Sequence, residues 1–173
     1  THDGMEYWLA MNLAGDYAAA RHEDIHRRIG KALGKRAFIN ISNTHNLAWK
    51  EMVDGVERIV HRKGATPASA GTLGIIPGSM TTSGYIISGK GNASSLNSAS
   101  HGAGRLFSRA ACKTRFTQHD VNKVLKEAGV SLIGGSIDEC SMAYKNISTV
   151  MALQSELVNV LGSFLPKIVR MDN

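Results

Sequence analysis

One histidine in this chain is placed where a nucleophile would be useful. Residues 92 to 109 read Asn-Ala-Ser-Ser-Leu-Asn-Ser-Ala-Ser-His-Gly-Ala-Gly-Arg-Leu-Phe-Ser-Arg, which sets His101 between small residues and a Gly102-Ala103-Gly104 turn. Its imidazole offers two nucleophilic nitrogens with no bulky neighbour on either side. Gly102 and Gly104 lack a Cβ, so backbone N–H groups there can approach a phosphate closely, and Arg105 and Arg109 add positive charge. The chemistry this suits is attack on a nucleotide phosphate. Taken alone, the same residues also read as a Gly/Ser-rich surface loop with a solvated histidine.

Other clusters carry residues of the right types. His45, with Asn46 beside it, lies in the polar stretch Ser42 to Glu51, where it could bind a metal and Asn46 a nucleotide; a lone histidine is equally at home in a structural hydrogen bond. His61-Arg62-Lys63-Gly64 ends a strand-like run with basic side chains suited to phosphate, or forms a solvated basic turn. In Pro77-Gly78-Ser79-Met80 the proline fixes the backbone, the glycine allows close approach, and the amides around Ser79 can meet an anion. His22-Glu23-Asp24-Ile25-His26 matches H-E-x-x-H, which on a helix would set two imidazoles toward zinc with a glutamate to activate water. Arg21, Asp24, Arg27 and Arg28 make that segment strongly charged, and no third ligand follows at a familiar spacing. A charged helix face is the preferred reading, with a zinc hydrolase using His22 and His26 as a distant alternative.

These residues need a scaffold, and the chain is long enough to build one. At 173 residues it is one domain or part of a larger one, 43% apolar and 20% charged, as soluble globular chains are. The net charge of +6 favours polyanionic partners, nucleic acid before membrane. Cys112 and Cys140 are far apart with no C-x-x-C spacing, so a reducing, cytoplasmic setting is expected. No apolar run approaches the roughly 20 residues that span a bilayer. The chain opens at Thr1 inside a helical pattern, which suggests the C-terminal part of a longer polypeptide.

Met5, Leu9, Leu13, Tyr17, Ile25, Ile29 and Leu33 recur at steps of four, predicting a long amphipathic helix capped near Thr1 or Asp3 and ended by Gly34. Residues 36 to 41 read as a strand, Asp54-Gly55 as a turn, and Val56 to Val60 and Tyr85 to Ser88 as strands. Leu106 to Lys113 begins a helix behind His101. Thr117 to Gly129 carries a capping box through Asp120. Val130 to Ile133 is a strand before a Gly134-Gly135 turn. Asn146 to Phe164 reads as a second long helix with Val150, Leu153, Leu157, Val158 and Leu161 on its apolar face, broken by Pro166 before a last strand at Ile168-Val169. The expected class is α+β, with mixed sheets and two long amphipathic helices.

Several segments taken in register resemble the C-terminal part of RtcB-type RNA-splicing ligases. The carrying pieces are Asn43-Thr44-His45-Asn46, His61 to Thr66, Pro77 to Met80, Asn97 to Arg105, and Ala143-Tyr144-Lys145-Asn146-Ile147. The resemblance implies the RtcB-like catalytic fold across residues 1 to 173 as one part of a single ligase domain. It also implies an enzyme that joins RNA 2′,3′-cyclic phosphate or 3′-phosphate ends to 5′-hydroxyl ends with GTP and Mn²⁺. In that scheme His101 takes GMP as a phosphoramidate, His45 is a manganese ligand and Asn46 a nucleotide contact. Pro77, Gly78, Ser79, Met80, Gly102, Ala103 and Gly104 would line the GMP. Arg62, Lys63, Arg105 and Arg109 are candidates for RNA phosphates on their charge and placement.

The family's remaining metal ligands lie upstream of anything present, so the N-terminal half of the same ligase is an expected partner, without which the chain should be inactive. The end reads Arg170-Met171-Asp172-Asn173 where the family has a guanine-contacting lysine, and Gly84, beside Ser83, stands where it tends to have a nucleotide-contacting serine. These departures suggest a divergent paralogue acting in repair of cleaved RNA. A catalytically silent RNA- or nucleotide-binding paralogue is the alternative.

Overall fold

The computed structural model describes residues 1–171, and it opens on helix α1, His2–Ala32. The Thr1 hydroxyl accepts from the Gly4 amide at 3.2 Å and caps it; Gly34, at φ +62°, turns the chain out at the far end. The helix is as the periodicity predicts, but its apolar stripe is not covered: Met5 is 59% and Leu13 72% exposed, and no residue of α1 is buried. Its half-buried positions are Trp8, Met11, Asn12, Gly15, Asp24 and Gly30, with a Cβ on Gly15 falling 3.1 Å from Leu47. A helix of about 46 Å needs more partner surface than one strand and one strap supply.

The strap is residues 36 to 45. The sequence predicts a strand over 36 to 41, but this stretch is irregular and open, with Phe38 96% exposed. It reaches the open edge of the sheet only through the Asn43 side chain, which bonds the backbone of Ile75. Pairing starts instead inside the expected polar turn, where β1 (Asn46–Val53) meets β2 (Val56–Lys63) in an antiparallel hairpin. Asp54 and Gly55, at φ 50° and 76°, make its two-residue turn, which requires positive φ at both positions.

β3 (Ala65–Pro67) pairs with β6 (Ser98–Ser100), which delivers His101. β4 (Leu73–Ile76), β5 (Gly84–Gly89) and β8 (Val158–Phe164) form an antiparallel sheet in the order β4-β5-β8. The second long helix is therefore a correction. Only Ile147–Leu153 is helical, as α4, and the rest turns over and becomes β8. β5 offers an open edge, and Val158 and Val160 suit a strand better than a helix. The expected helical face is split, with Val158 buried but Leu153 84% exposed.

α2 (Arg109–Arg115) starts at the Ser108 cap, and α3 (Gln118–Ala128) carries the predicted capping box, Thr117 and Asp120 bonding each other's backbone amides. The Thr117 amide and hydroxyl hold Asp120 below its ordinary pKa, so this support is present at neutral pH and is lost as the pH falls through that lowered value. Thr117→Ala should cost about 1 kcal/mol in urea denaturation. β7 (Ser131–Ile133) and β9 (Ile168–Arg170) close the chain in parallel.

Two apolar clusters underlie these elements. Ile76, Ile87, Ala99, Ala103, Ile147 and Val158 form one beneath the His101 segment. Cys112, Val121, Leu125, Cys140 and Ala143 form the other, both cysteines reduced and fully buried. Tyr144 packs against both.

Candidate active site

His101 leaves β6 opposite His45, and Gly64 joins them. The Gly64 amide donates to the His45 carbonyl at 3.1 Å, and the His101 amide donates to the Gly64 carbonyl at 3.4 Å. The two imidazole centroids lie 5.0 Å apart. Gly64 sits at φ +71°, where a side chain would strain the backbone although a Cβ would have room, 3.7 Å from the His101 ring. Two histidines that the sequence separates by more than fifty residues thus face one another, with Asn46 exposed at the start of β1 beside them.

Beside His101 the chain folds onto Pro77–Met80. The Ala103 amide donates to the Pro77 carbonyl at 3.2 Å, and a Cβ on Gly102 would fall 3.2 Å from that same oxygen. Gly78 is tighter still: a Cβ there would meet Thr82 Oγ1 at 2.4 Å and the Ser83 carbonyl at 2.5 Å. Among the described residues the amides of Gly102 and Gly104 meet no protein acceptor. Pro77, Gly78, Ser79, Met80, His101, Gly102, Ala103 and Gly104 line one cleft of about 590 Å³, within the range of small-molecule sites. Arg105, Arg109, Glu139, Tyr144 and Met171 also line it.

The basic candidates separate. Arg105 donates to Glu139 (3.1 Å), to the Tyr144 hydroxyl (3.3 Å) and to the Phe107 carbonyl (3.0 Å). Arg109 is exposed and donates through Nε to Glu139 at 2.8 Å, its two Nη groups meeting no acceptor among the described residues. Lys63 is exposed on β2. Arg62 is a correction: it is 2% exposed, with Nη1 and Nη2 on the Glu51 carboxylate at 2.6 and 2.9 Å. Its alternating register on β2 turns it inward, so its charge is committed to the fold and not to an incoming phosphate.

Glu139 is the residue that sequence reasoning missed. Burial raises its pKa, but hydrogen bonds from Tyr144 and Arg109 and the charge of Arg105 outweigh that and hold it below the ordinary glutamate value. Burial, then the bond to Glu139, pushes the Tyr144 phenol up. Glu139 lies 30 and 34 positions from its arginine partners, with no local signal to connect them. Glu139→Gln should cost about 2 kcal/mol at neutral pH. The loss should shrink as acid titrates the wild-type carboxylate, which urea denaturation across pH would show.

His22 and His26 remain exposed on α1, and among the described residues no group of three or more His, Cys, Asp or Glu side chains could hold a metal ion. The zinc hydrolase reading therefore lacks its third ligand. At Gly84 the Phe164 ring of β8 packs over the backbone, a Cβ there lying 2.4 Å from it, so a serine would require that exposed ring to turn aside. Ser83 lines the adjoining cleft with Ser79 and Lys145. Met171, at the end where the resemblance implies a lysine, lines the cleft; Asp172 and Asn173 lie outside the described residues.

The family model for tRNA-splicing ligase RtcB matches residues 1–171. The chain is 45% identical over 125 residues to the RNA-splicing ligase RtcB of Escherichia coli K12, covering 72% of this chain and 31% of that protein. It is 32% identical over 201 residues to the tRNA-splicing ligase RtcB of Nanoarchaeum equitans, covering 96% and 42%. With that of Methanopyrus kandleri the identity is 33% over 196 residues, covering 90% and 20%. The chain thus spans less than half the length of these relatives.

Proposed function

Because this chain belongs to the tRNA-splicing ligase RtcB family, we propose that it forms the nucleotidyl-transferring part of a GTP-dependent RNA ligase, with His101 as the guanylylated residue. The observation that carries the reading is the convergence of His101 and the Pro77–Met80 turn on one cleft of about 590 Å³, with the His45 ring 5.0 Å from that of His101.

In this reading a neutral His101 nitrogen attacks the α-phosphorus of GTP. A P–N bond forms, the bond to the bridging oxygen breaks, and pyrophosphate leaves. The amides of Gly102 and Gly104 and the free Nη groups of Arg109 supply donors where phosphoryl charge develops. GMP then passes to an RNA 3′-phosphate, and the 5′-hydroxyl of the second end displaces it to close the phosphodiester.

Manganese is a different matter. His45 is one imidazole, and among the described residues no group of three or more His, Cys, Asp or Glu side chains gathers. Among the described residues the donors present do not make a manganese site. A complete site would draw on the part of the relatives' length outside the matched region, so we assign activity to these residues together with an N-terminal half. Among the described residues no helix is long and apolar enough to cross a membrane; a cytoplasmic setting belongs to the same proposal.

The test is to incubate the protein, alone and with such an N-terminal half, with α-labelled GTP and Mn²⁺. An acid-labile adduct on the complete assembly supports the reading. Retained RNA binding with no adduct in the complete assembly would make this a silent paralogue instead.

A further inference from the structure

The strap from residue 36 to 45 has no sheet partner, yet it holds His45 opposite His101. Besides the bond from the Gly64 amide to the His45 carbonyl, one side chain ties the strap to the sheets. Asn43 Oδ1 accepts from the Ile75 amide at 2.9 Å, and its Nδ2 donates to the Ile75 carbonyl at 3.0 Å. The pair closes a ring of the kind two strand backbones make, with a side-chain amide standing in for one backbone. The same Nδ2 donates to Thr66 Oγ1 at 3.0 Å. Thr66 is 1% exposed and faces Ala99 in the β3–β6 ladder, two residues ahead of His101. A Cβ on Gly74 would lie 3.0 Å from Asn43 Nδ2, so the sheet is cut to admit this amide.

We propose that Asn43 is a positioning residue, setting the gap between the His45 and His101 imidazoles by tying the strap to the ladder that carries His101. This rests on the reading of His101 as the guanylylated residue only for its consequence, since the gap itself is a property of the fold. The amide is the one side chain of this size that both accepts from the backbone N–H and donates to the backbone carbonyl of one residue at neutral pH. An aspartate at 43 keeps the shape and the bond from the Ile75 amide but sets a carboxylate oxygen against the Ile75 carbonyl.

The experiment compares wild type, Asn43→Asp, Thr66→Val and Thr117→Ala, the last a control that loosens α3 far from the strap. The nuclear Overhauser cross-peak between the two imidazoles reads the gap directly, and GMP loading of the assembly competent for it reads the consequence. Asn43→Asp is expected to weaken the cross-peak and slow loading on the order of ten- to a hundred-fold. Thr66→Val should do the same to a smaller degree, and Thr117→Ala should lower the melting temperature while moving neither. A wild-type cross-peak in Asn43→Asp overturns the proposal, as does an equal loss in Thr117→Ala. If wild type takes no GMP but the cross-peak responds as expected, the positioning role stands and the ligase reading falls.

Discussion

His101→Ala is expected to reduce covalent GMP capture to background while leaving the protein folded. The two halves of that expectation have separate physical grounds. Capture needs a nitrogen that becomes bonded to phosphorus, and no other nitrogen lies in the same place: the His45 ring is 5.0 Å away on the strap, and the nearby Arg105 and Arg109 guanidiniums remain protonated and carry no free pair. Folding does not need the imidazole. His101 is half-buried and its bond to the Gly64 carbonyl runs through the backbone amide, which alanine retains. Stability should change by less than about 1 kcal/mol. Labelled GTP with gel autoradiography reads the first half and urea denaturation the second. An adduct that survives the substitution would remove His101 from the role, because no partial effect is possible for a covalent acceptor.

What the sequence disclosed follows the range of the interactions involved. The Asp54-Gly55 turn, the Thr117 capping box and the Gly129 stop are decided within a few residues, and each is where local chemistry puts it. β8 reads as helix because Val150, Leu153, Leu157 and Leu161 satisfy a helical period, while the deciding fact, an unpaired edge on β5, lies about seventy residues earlier. The α1 stripe was legible as a helix but not as an open face, since exposure depends on partners that periodicity does not contain. The site divides the same way. Motifs in register include Asn43, His45, Pro77–Met80 and His101, but the bond from Asn43 to Ile75 and that from Arg109 to Glu139 span 32 and 30 residues and leave no pattern.

Arg62 shows what that blindness costs, and it yields the largest expected effect on stability. A basic side chain beside His61 and Lys63 reads as a phosphate contact, yet it is buried, bonded to both Glu51 oxygens and 5.0 Å over the Trp49 ring. The pair is asymmetric: Arg62 is 2% exposed and Glu51 26%. Glu51→Ala strands a buried guanidinium and should cost about 3–5 kcal/mol, a large share of a typical domain's stability. Arg62→Met leaves a carboxylate that water can reach, and should cost less by that route.

Its second effect is local to the site. Arg62 also donates to the Leu96 carbonyl at 2.7 Å and to Ser98 Oγ at 2.8 Å. Leu96 and Asn97 hold φ near +52° and +50°, a conformation costing about 1–2 kcal/mol per non-glycine residue, immediately before the strand that presents His101. Removing the guanidinium should loosen that turn, so Arg62→Met should slow GMP loading even where the fold survives. A phosphate contact predicts otherwise. Arg62→Met should leave the salt dependence of RNA binding unchanged, whereas loss of an exposed contact such as Lys63 would shallow the slope by about one. A shallower slope in Arg62→Met with unaltered stability would return Arg62 to the RNA surface; the buried ion pair with Glu51 requires the opposite.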